Sequence, residues 1–352
     1  MSPTRHIDYI IVGQGLAGSS VVVQLLRLGK KILVIDQPEK NRASRVAAGL
    51  FNPVTGKKMT KTWMADTIFP YLHQFYRDVE SVTGRSFFYP MPLYRPFLSV
   101  EEQNEWMGRS SDDSYRGYIS DVFVKPSGLA VNDRHGGLLL KQCGYVDTPA
   151  FIDAVRSLAE REGYYENHHF DEGKLVIDND GIEYGEWRSQ AIIFCQGTSS
   201  GKLFDWLPVK PLKGETITIS SALETPYIVN RGVYVVPARG KNEFRVGATY
   251  DYQDTSHQTT AAGKVELENR CGEIVQAPFT TISQDWGLRP TVPDRRPLLG
   301  RHPTHGNVAV FNGLGTKGVS LAPYFSGILI RSLENHEGLN NDVNVNRYKS
   351  VY

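Results

Sequence analysis

Three glycines near the start of the chain have the spacing of a loop that binds a dinucleotide. Gly13, Gly15 and Gly18 form a Gly-x-Gly-x-x-Gly pattern directly after the apolar run at residues 8–12. Gly13 permits a tight turn, Gly15 lets the backbone approach a pyrophosphate, and Gly18 lets a helix pack against the preceding strand. The start of that helix offers N–H groups and a partial positive charge to the phosphates.

A carboxylate stands where the ribose partner of such a loop is expected. A helix predicted over residues 19–28 is followed by a second apolar run at 31–35, which ends at Asp36. Strand, helix and strand make one βαβ unit, in which the acid can accept hydrogen bonds from ribose hydroxyls. Asp36 also disfavours a 2′-phosphorylated cofactor, because two negative charges would meet. The pattern alone does not separate FAD from NAD, and a purely structural glycine turn is the other interpretation.

The elements that must position this loop extend to the end of the chain. Buried strands are predicted at residues 191–195 and 307–311, with antiparallel-type strands at 215–219, 232–237 and 243–249 between them. Helices are predicted at 63–82, at 147–158 behind an Asp147 cap, and at 320–333. A hairpin is predicted around Asn179-Asp180-Gly181. These elements predict an α/β nucleotide-binding domain interrupted twice by a second sheet.

Composition excludes several classes of protein. The chain has 352 residues, 40% hydrophobic and 22% charged, with 39 Lys+Arg against 38 Asp+Glu. This balance is typical of a globular protein without a field that recruits nucleic acid or lipid. Cys143, Cys195 and Cys271 form no CxxC pair, so we expect neither a disulfide framework nor a zinc site. The absence of a signal peptide and of a run of about 20 apolar residues predicts a cytoplasmic protein without a membrane partner.

Four blocks along the chain share a pattern that goes beyond the glycine loop. They are residues 10–36, the small-residue run 44–49, the segment 191–197 that ends in Gln196-Gly197, and residues 287–300 with their continuation at 312–323. In this order they resemble the D-amino-acid-oxidase-type family of FAD-dependent oxidoreductases. That family includes glycine oxidase, sarcosine oxidase and the oxidase half of a bifunctional enzyme that modifies the wobble uridine of tRNA.

The resemblance implies a fold and a reaction. The fold is α/β, a Rossmann-like FAD-binding domain (1–75, 140–210 and 285–352) with an inserted α+β substrate domain on a mostly antiparallel sheet (76–139 and 211–284). The reaction is hydride transfer from an amino acid or N-substituted glycine to flavin N5, which gives an imine that hydrolyses. Either O₂ or another acceptor would reoxidise the flavin. The alternatives are an NAD-dependent dehydrogenase, a tRNA-modifying oxidase and a non-catalytic flavin-binding module.

The resemblance also assigns residues to FAD. Small residues in the run at 44–49 would let a flat ring lie on the backbone, and the glycines after residue 312 would present N–H groups to a reduced flavin. Lys317 would add positive charge there or face solvent. Because no cysteine follows Cys271, the FAD is expected to be noncovalent. The residues assigned to FAD are Gly13, Gly15, Leu16, Ala17, Gly18, Asp36, Gln37, Ser44, Arg45, Ala47, Ala48, Gly49, Gly197, Gly313, Gly315, Thr316, Lys317 and Gly318.

Three residues are assigned to the substrate, an amino acid or amine. In the Gly-x-Arg-Pro segment, the resemblance gives Arg289 the substrate carboxylate, which a planar guanidinium grips through both oxygens. A local ion-pair cluster with Asp294 is the alternative. Tyr234 and Tyr250 would orient the amine or carboxylate, or else are aromatic core residues.

A lysine-rich loop departs from the family pattern. Lys57, Lys58 and Lys61 lie within five residues, next to the expected edge of the flavin. Such a loop is ordinarily solvated. It would also attract an anionic substrate, and tRNA is the extreme case of one.

Overall fold

The computed structural model describes residues 5–39, 42–56, 58–178, 180–199 and 201–352. Within these residues the helices are Leu16–Arg27 (α1), Ala43–Val46 (α2), Ala65–Thr83 (α3), Val100–Arg109 (α4), Asp113–Arg116 (α5), Thr148–Glu162 (α6), Ala261–Ile274 (α7) and Gly318–Asn335 (α8). The strands are Arg5–Val12 (β1), Ile32–Ile35 (β2), Leu50–Phe51 (β3), Val54–Thr55 (β4), Thr60–Lys61 (β5), Phe88–Pro90 (β6), Leu93–Pro96 (β7), Ile119–Phe123 (β8), Gly137–Leu140 (β9), Gly144–Val146 (β10), Tyr164–Glu166 (β11), Leu175–Ile177 (β12), Ile182–Tyr184 (β13), Trp187–Phe194 (β14), Lys210–Ser221 (β15), Ile228–Arg231 (β16), Val233–Pro237 (β17), Glu243–Gly247 (β18), Phe279–Thr291 (β19), Leu298–Arg301 (β20) and Val308–Asn312 (β21).

The first sheet contains the predicted βαβ unit. Its parallel strands run in the order β11-β2-β1-β14-β21, and the antiparallel strands β12, β13 and β20 extend it. Val12 is in register with Ile35 on one side and Phe194 on the other. The carboxyl ends of these strands therefore meet at one edge, where a doubly wound sheet binds its ligand. Successive residues of β1 alternate between two apolar cores: Ile11 packs in one and Ile10 in the other.

The second sheet is mostly antiparallel, as predicted. Its order is β19-β15-β18-β17-β16-β7-β9-β8, and only the β16–β7 pair is parallel. The longest ladder joins β15 and β19 from Lys210–Thr291 to Ser221–Phe279. The sequence did not predict β19 as a strand, because its residues are only partly buried and show no clean alternation.

The domain division remains a proposal. The four predicted boundaries, 75/76, 139/140, 210/211 and 284/285, fall inside α3, β9, β15 and β19. Because β19 pairs with β15 along its length, it belongs to the second sheet, and we propose that the last boundary lies after Thr291.

The other predicted elements are present within a few residues of their expected ends. Helix α6 begins behind Asp147, whose carboxylate accepts from the Ala150 N–H at 3.1 Å, and it ends at Gly163. Strands β12 and β13 pair as the predicted hairpin, although Asn179 in its turn lies outside the described residues. No helix in the described part of the chain is long and apolar enough to cross a membrane.

Candidate active site

A cleft of about 1840 Å³ lies between the carboxyl edge of the first sheet and one face of the second. Among the described residues that line it, ten are Lys or Arg and three are Asp or Glu. The whole chain is almost neutral, with 39 basic against 38 acidic residues. Positive charge is therefore concentrated in this cleft, which suits anionic ligands.

The glycine loop forms one end of the cleft, and each of its three glycines is needed for a different steric reason. Gly13 has φ +91°, and a Cβ there would lie 2.7 Å from the Cys195 carbonyl oxygen. A Cβ on Gly18 would lie 1.9 Å from the Gly13 carbonyl oxygen, so Gly18 serves packing and does not line the cleft. A Cβ on Gly15 would meet only the Ser44 hydroxyl within 3 Å, and its backbone is otherwise open to the cleft.

The first turn of α1 forms a cradle that suits a phosphate. The helix has no side-chain cap of its own, and the Ser44 hydroxyl of α2 accepts from the Leu16 N–H at 3.1 Å. Ala17 lines the cleft beside them. An anion at this helix start meets N–H groups, the partial positive charge of the helix and a hydroxyl that can turn to donate.

Asp36 lies at the carboxyl end of β2, as predicted, and is only 6% exposed. One of its oxygens accepts from the Gln14 N–H at 3.0 Å and also from the Arg42 guanidinium. Its other oxygen makes no hydrogen bond to a described residue, so it can accept from a ribose. Gln37 follows it along the cleft wall. Sequence reasoning missed Arg42, because no motif marks an arginine at that distance from the strand.

Some residues of the small-residue run line the cleft, and others are fixed by packing against neighbouring elements. Ala47 and Ala48 line the cleft. Gly49 has φ +73°, and a Cβ there would lie 1.8 Å from the Val146 carbonyl oxygen, so packing against β10 requires this glycine. Arg45 lies against α6 and not in the cleft, because its guanidinium pairs with Asp153 at 2.6 Å.

The loops after β14 and β21 meet at the far side of the same cleft. Asn312, which is buried, donates to the Gly197 carbonyl oxygen and accepts from the Gly313 N–H, both at 2.8 Å. The sequence pattern at 312–323 includes Asn312 but does not indicate this role. The remaining predicted residues of this segment also line the cleft, namely Gly315, Thr316, Lys317 and Gly318.

Lys317 is half-buried and has no ion pair with a described carboxylate. Burial, followed by the charges of Arg296 and Arg295, lowers the pKa of its ammonium group. A partly desolvated cation among other cations is a favourable place for the negative charge of a reduced flavin. This position supports the predicted cofactor role over the solvent-facing alternative.

Arg289 lies on the second-sheet wall without a carboxylate partner among the described residues. Its Nη1 donates to the Thr249 carbonyl oxygen at 3.3 Å, and its Cζ lies 4.9 Å from the centre of the Tyr250 ring. Asp294 pairs instead with Arg347 at 2.8 Å. Arg289 therefore takes no part in a local ion-pair cluster with Asp294, which was the alternative, and its guanidinium remains available to an anion.

Tyr234 and Tyr250 join Arg289 in the cleft. A Cβ on Gly247 would lie 2.5 Å from the Tyr234 hydroxyl, so this glycine makes room for the ring. The hydroxyl makes no hydrogen bond to a described residue, and burial raises the pKa of Tyr234 to about 12. Tyr250 is 61% exposed, and its ring contacts the Arg289 guanidinium.

The lysine-rich loop borders the cleft, but its lysines do not form a cluster of unpaired charges. Lys61 pairs with Asp66 at 2.6 Å, Lys58 is exposed, and Lys57 lies outside the described residues.

The three thiols, Cys143, Cys195 and Cys271, are buried, and burial raises the pKa of each. In the described part of the chain no three His, Cys, Asp or Glu side chains form a metal site.

A model of the FAD dependent oxidoreductase family matches residues 8–331. The chain belongs to this family. The match confirms the family and the FAD cofactor predicted from the four sequence blocks, and it disfavours the NAD-dependent alternative. The buried thiols are consistent with noncovalent binding.

Relatives and solved structures agree with this assignment. The chain is 24% identical to the bifunctional protein ThiO/ThiG of Trichormus variabilis, over 92% of this chain and 52% of that protein. It is 23% identical to the glycine oxidase of Geobacillus kaustophilus, over 94% of this chain and 93% of the relative. It thus spans about half the length of the first relative and nearly all of the second. The crystal structure of iminodiacetate oxidase from Chelativorans sp. BNC1 matches with a TM-score of 0.79 at 22% identity, covering 97% and 98% of the two chains, which confirms the fold.

The cleft fits FAD on its own geometry. The cradle at α1 would hold the pyrophosphate, Asp36 the ribose, and the walls at Ala47–Ala48 and Gly313–Gly318 the flavin ring. When bound, FAD supplies the two-electron acceptor for an oxidation.

Proposed function

We propose that the protein oxidises the C–N bond of an amino acid or N-substituted glycine whose carboxylate binds Arg289. Glycine and iminodiacetate, for which two of the similar proteins are named, both carry an amine nitrogen one carbon away from a carboxylate. The product would be an imine that water hydrolyses. The reduced flavin would pass its two electrons to O₂ or another acceptor.

The observation that carries the proposal is the unpaired guanidinium in the cleft. A partly buried guanidinium on a cleft wall is a favourable partner for a ligand of opposite charge. Arg289 has only one backbone carbonyl and an aromatic ring as described partners. A planar carboxylate would satisfy two of its N–H groups at once.

The neighbouring residues would orient the rest of the substrate. Because the pKa of Tyr234 is raised to about 12, its hydroxyl stays protonated near neutral pH and can donate a hydrogen bond. Tyr250 would fix the plane of the Arg289 guanidinium. No acid–base pair is needed in this scheme, since holding a neutral amine and its α-C–H at the correct position is the contribution of the protein.

The test is anaerobic stopped-flow reduction of the bound flavin by a panel that includes glycine, N-methylglycine and iminodiacetate. Arg289→Ala should cost about 2–5 kcal/mol of transition-state stabilisation, which lowers kcat/KM about thirtyfold to several thousandfold. Arg289→Lys keeps the charge but loses the planar fork, so its defect should be smaller. Arg239→Lys changes an arginine that pairs with Asp147 away from the cleft and serves as the matched control.

Two outcomes would reject parts of the proposal. If Arg289→Ala reduces its flavin as fast as the wild type at every concentration, Arg289 does not bind the substrate. If no amino acid or amine reduces the wild-type flavin, the non-catalytic flavin-binding module is favoured. An amine without a carboxylate should respond equally in all variants, because it has no partner at Arg289.

A further inference from the structure

A second arginine without a close carboxylate partner among the described residues lines the same cleft, on β7. Arg95 is 8% exposed, and none of its guanidinium N–H groups makes a hydrogen bond to a described residue. Its nearest carboxylate is that of Glu102, at 4.0 Å, the outer limit of an ion pair. Burying a guanidinium in this way is costly unless an anion completes the site.

Glu102 cannot complete that site, because it is already engaged. One of its oxygens accepts from Arg231 at 2.6 Å and the other from the Leu98 N–H at 2.9 Å. Arg231 is itself 15% exposed at the side chain. The buried guanidinium of Arg95 and the partly buried one of Arg231 therefore share one carboxylate among the described residues, which leaves an excess of one positive charge. Burial and the neighbouring Arg231 charge lower the pKa of Arg95 to about 10, in agreement with this excess.

Strand register places Arg95 across the cleft from Arg289. Tyr94 is in register with Val229, so Arg95 lies beside Asn230. From there one row of paired residues crosses the sheet through Asn230, Tyr234, Gly247 and Thr216. The Arg289 guanidinium lies over Gly214, two residues from the end of that row. Four strand spacings put the backbone of Arg95 about 19 Å from β15, over which the Arg289 guanidinium already lies, so with the reach of the Arg95 side chain the two charged groups are on the order of 12–20 Å apart.

We propose that Arg95, together with Arg231, binds a second acidic group at the far end of the substrate. The substrate class is then an amino acid or N-substituted glycine whose side chain or N-substituent ends in a carboxylate or phosphate. This inference rests on the proposed function, since Arg289 holds the α-carboxylate and Tyr234 lies between the two anion sites.

The probes are linear α,ω-dicarboxylates of 6 to 14 carbons, which contain no amine to be oxidised. Each is titrated into the FAD-loaded enzyme by calorimetry and compared with the monocarboxylate of the same length. A dicarboxylate of matching length should bind at least tenfold more tightly than its monocarboxylate. An ω-phosphonocarboxylate of the same span, run in parallel, distinguishes phosphate from carboxylate as the preferred end group.

Three variants separate this inference from the proposed function. Arg95→Gln should remove the dicarboxylate advantage and leave monocarboxylate binding unchanged. Glu102→Gln removes the competing charge and should strengthen dicarboxylate binding, a gain that misfolding cannot mimic. Arg289→Lys should weaken both ligands.

The outcomes are separable. A wild type that does not prefer any dicarboxylate, or an Arg95→Gln variant that keeps the preference, overturns the second anion site. If Arg289→Lys leaves both ligands unaffected, the proposed function fails, whatever happens at Arg95.

Discussion

The two walls of the cleft are built in opposite ways. The phosphate end of the nucleotide wall comes from one short segment, with Gly13 and Gly15 in the turn after β1 and Gly18 in the first turn of α1. The substrate wall comes from residues far apart in the chain: Arg289 on β19, Tyr234 on β17 and Arg95 on β7. Backbone shape defines the first wall, and side chains gathered by strand pairing define the second.

This difference changes what identifies function in each region. In the nucleotide wall most groups are satisfied within the protein: Asp36 accepts from Gln14 and Arg42, and Ser44 accepts from Leu16. In the substrate wall the informative feature is an unsatisfied group, since Arg289 and Arg95 lack a close carboxylate among the described residues. Motifs find the first kind of site, and an accounting of buried charges finds the second.

The largest effect should separate two glycines of the same loop. Gly15→Leu should abolish FAD binding and leave the chain folded, because the new side chain fills the phosphate cradle while only the Ser44 hydroxyl lies close to its Cβ. Gly18→Ala should instead destabilise the apoprotein by about 1–3 kcal/mol, since its Cβ meets the Gly13 carbonyl oxygen at 1.9 Å. Flavin absorbance and urea unfolding of the apoproteins measure the two effects.

The same preparations test noncovalent binding. Acid precipitation of the wild type should release all flavin into solution; colour retained in the pellet would contradict it. Full FAD occupancy in Gly15→Leu would remove the loop from the cofactor site.

The second largest effect is expected at Asp36. Asp36→Ala should weaken FAD binding by about 1.5–3 kcal/mol, the range for hydrogen bonds to a charged group, or about tenfold to a hundredfold. Asp36→Asn keeps an oxygen for the Gln14 N–H but loses the charge, so its loss should be smaller. Titration of the apoproteins with FAD gives both dissociation constants. Equal affinity in all three proteins would show that Asp36 serves only the loop and Arg42.

The sequence predicts the nucleotide wall better than the substrate wall. The βαβ unit, Asp36 and the hairpin β12–β13 depend on neighbouring residues, so local patterns were sufficient. Strand β19 carries Arg289, yet its partly exposed residues lack the alternation that marks a strand. Arg95 is brought beside β16, and Asn312 to Gly197, by contacts more than 100 residues apart in the sequence, so only the pairing of strands and loops places them in the cleft.

A smaller effect is expected from Tyr234→Phe, which removes one hydroxyl from the substrate wall. Since this hydroxyl would donate a neutral hydrogen bond, flavin reduction should lose about 0.5–1.5 kcal/mol in kcat/KM. Because burial raises the pKa of Tyr234 to about 12, the group stays protonated below that pH and contributes no limb to the pH profile of activity. Rates measured from pH 6 to 10 should therefore fall by one constant factor. A limb that disappears in the variant would instead make Tyr234 an acid–base group.

The smallest effect is expected at the lysine-rich loop, which borders both walls. Lys61→Met breaks an exposed pair with Asp66, so it should change the free energy of unfolding by less than about 1 kcal/mol. In the double variant Lys58→Met/Lys61→Met, reduction of flavin by a free amino acid should remain at the wild-type rate, because neither lysine contacts Arg289 or Tyr234.

If the loop instead guides tRNA, wild-type binding to tRNA should be detectable, should fall steeply with salt as counterions are released, and should weaken in the double variant. Gel-shift titrations at 50 and 200 mM salt compare the two proteins. Absent or salt-independent binding would leave the loop as a solvated rim of the cleft, whereas steep binding lost in the variant would extend the substrate wall to a nucleic acid.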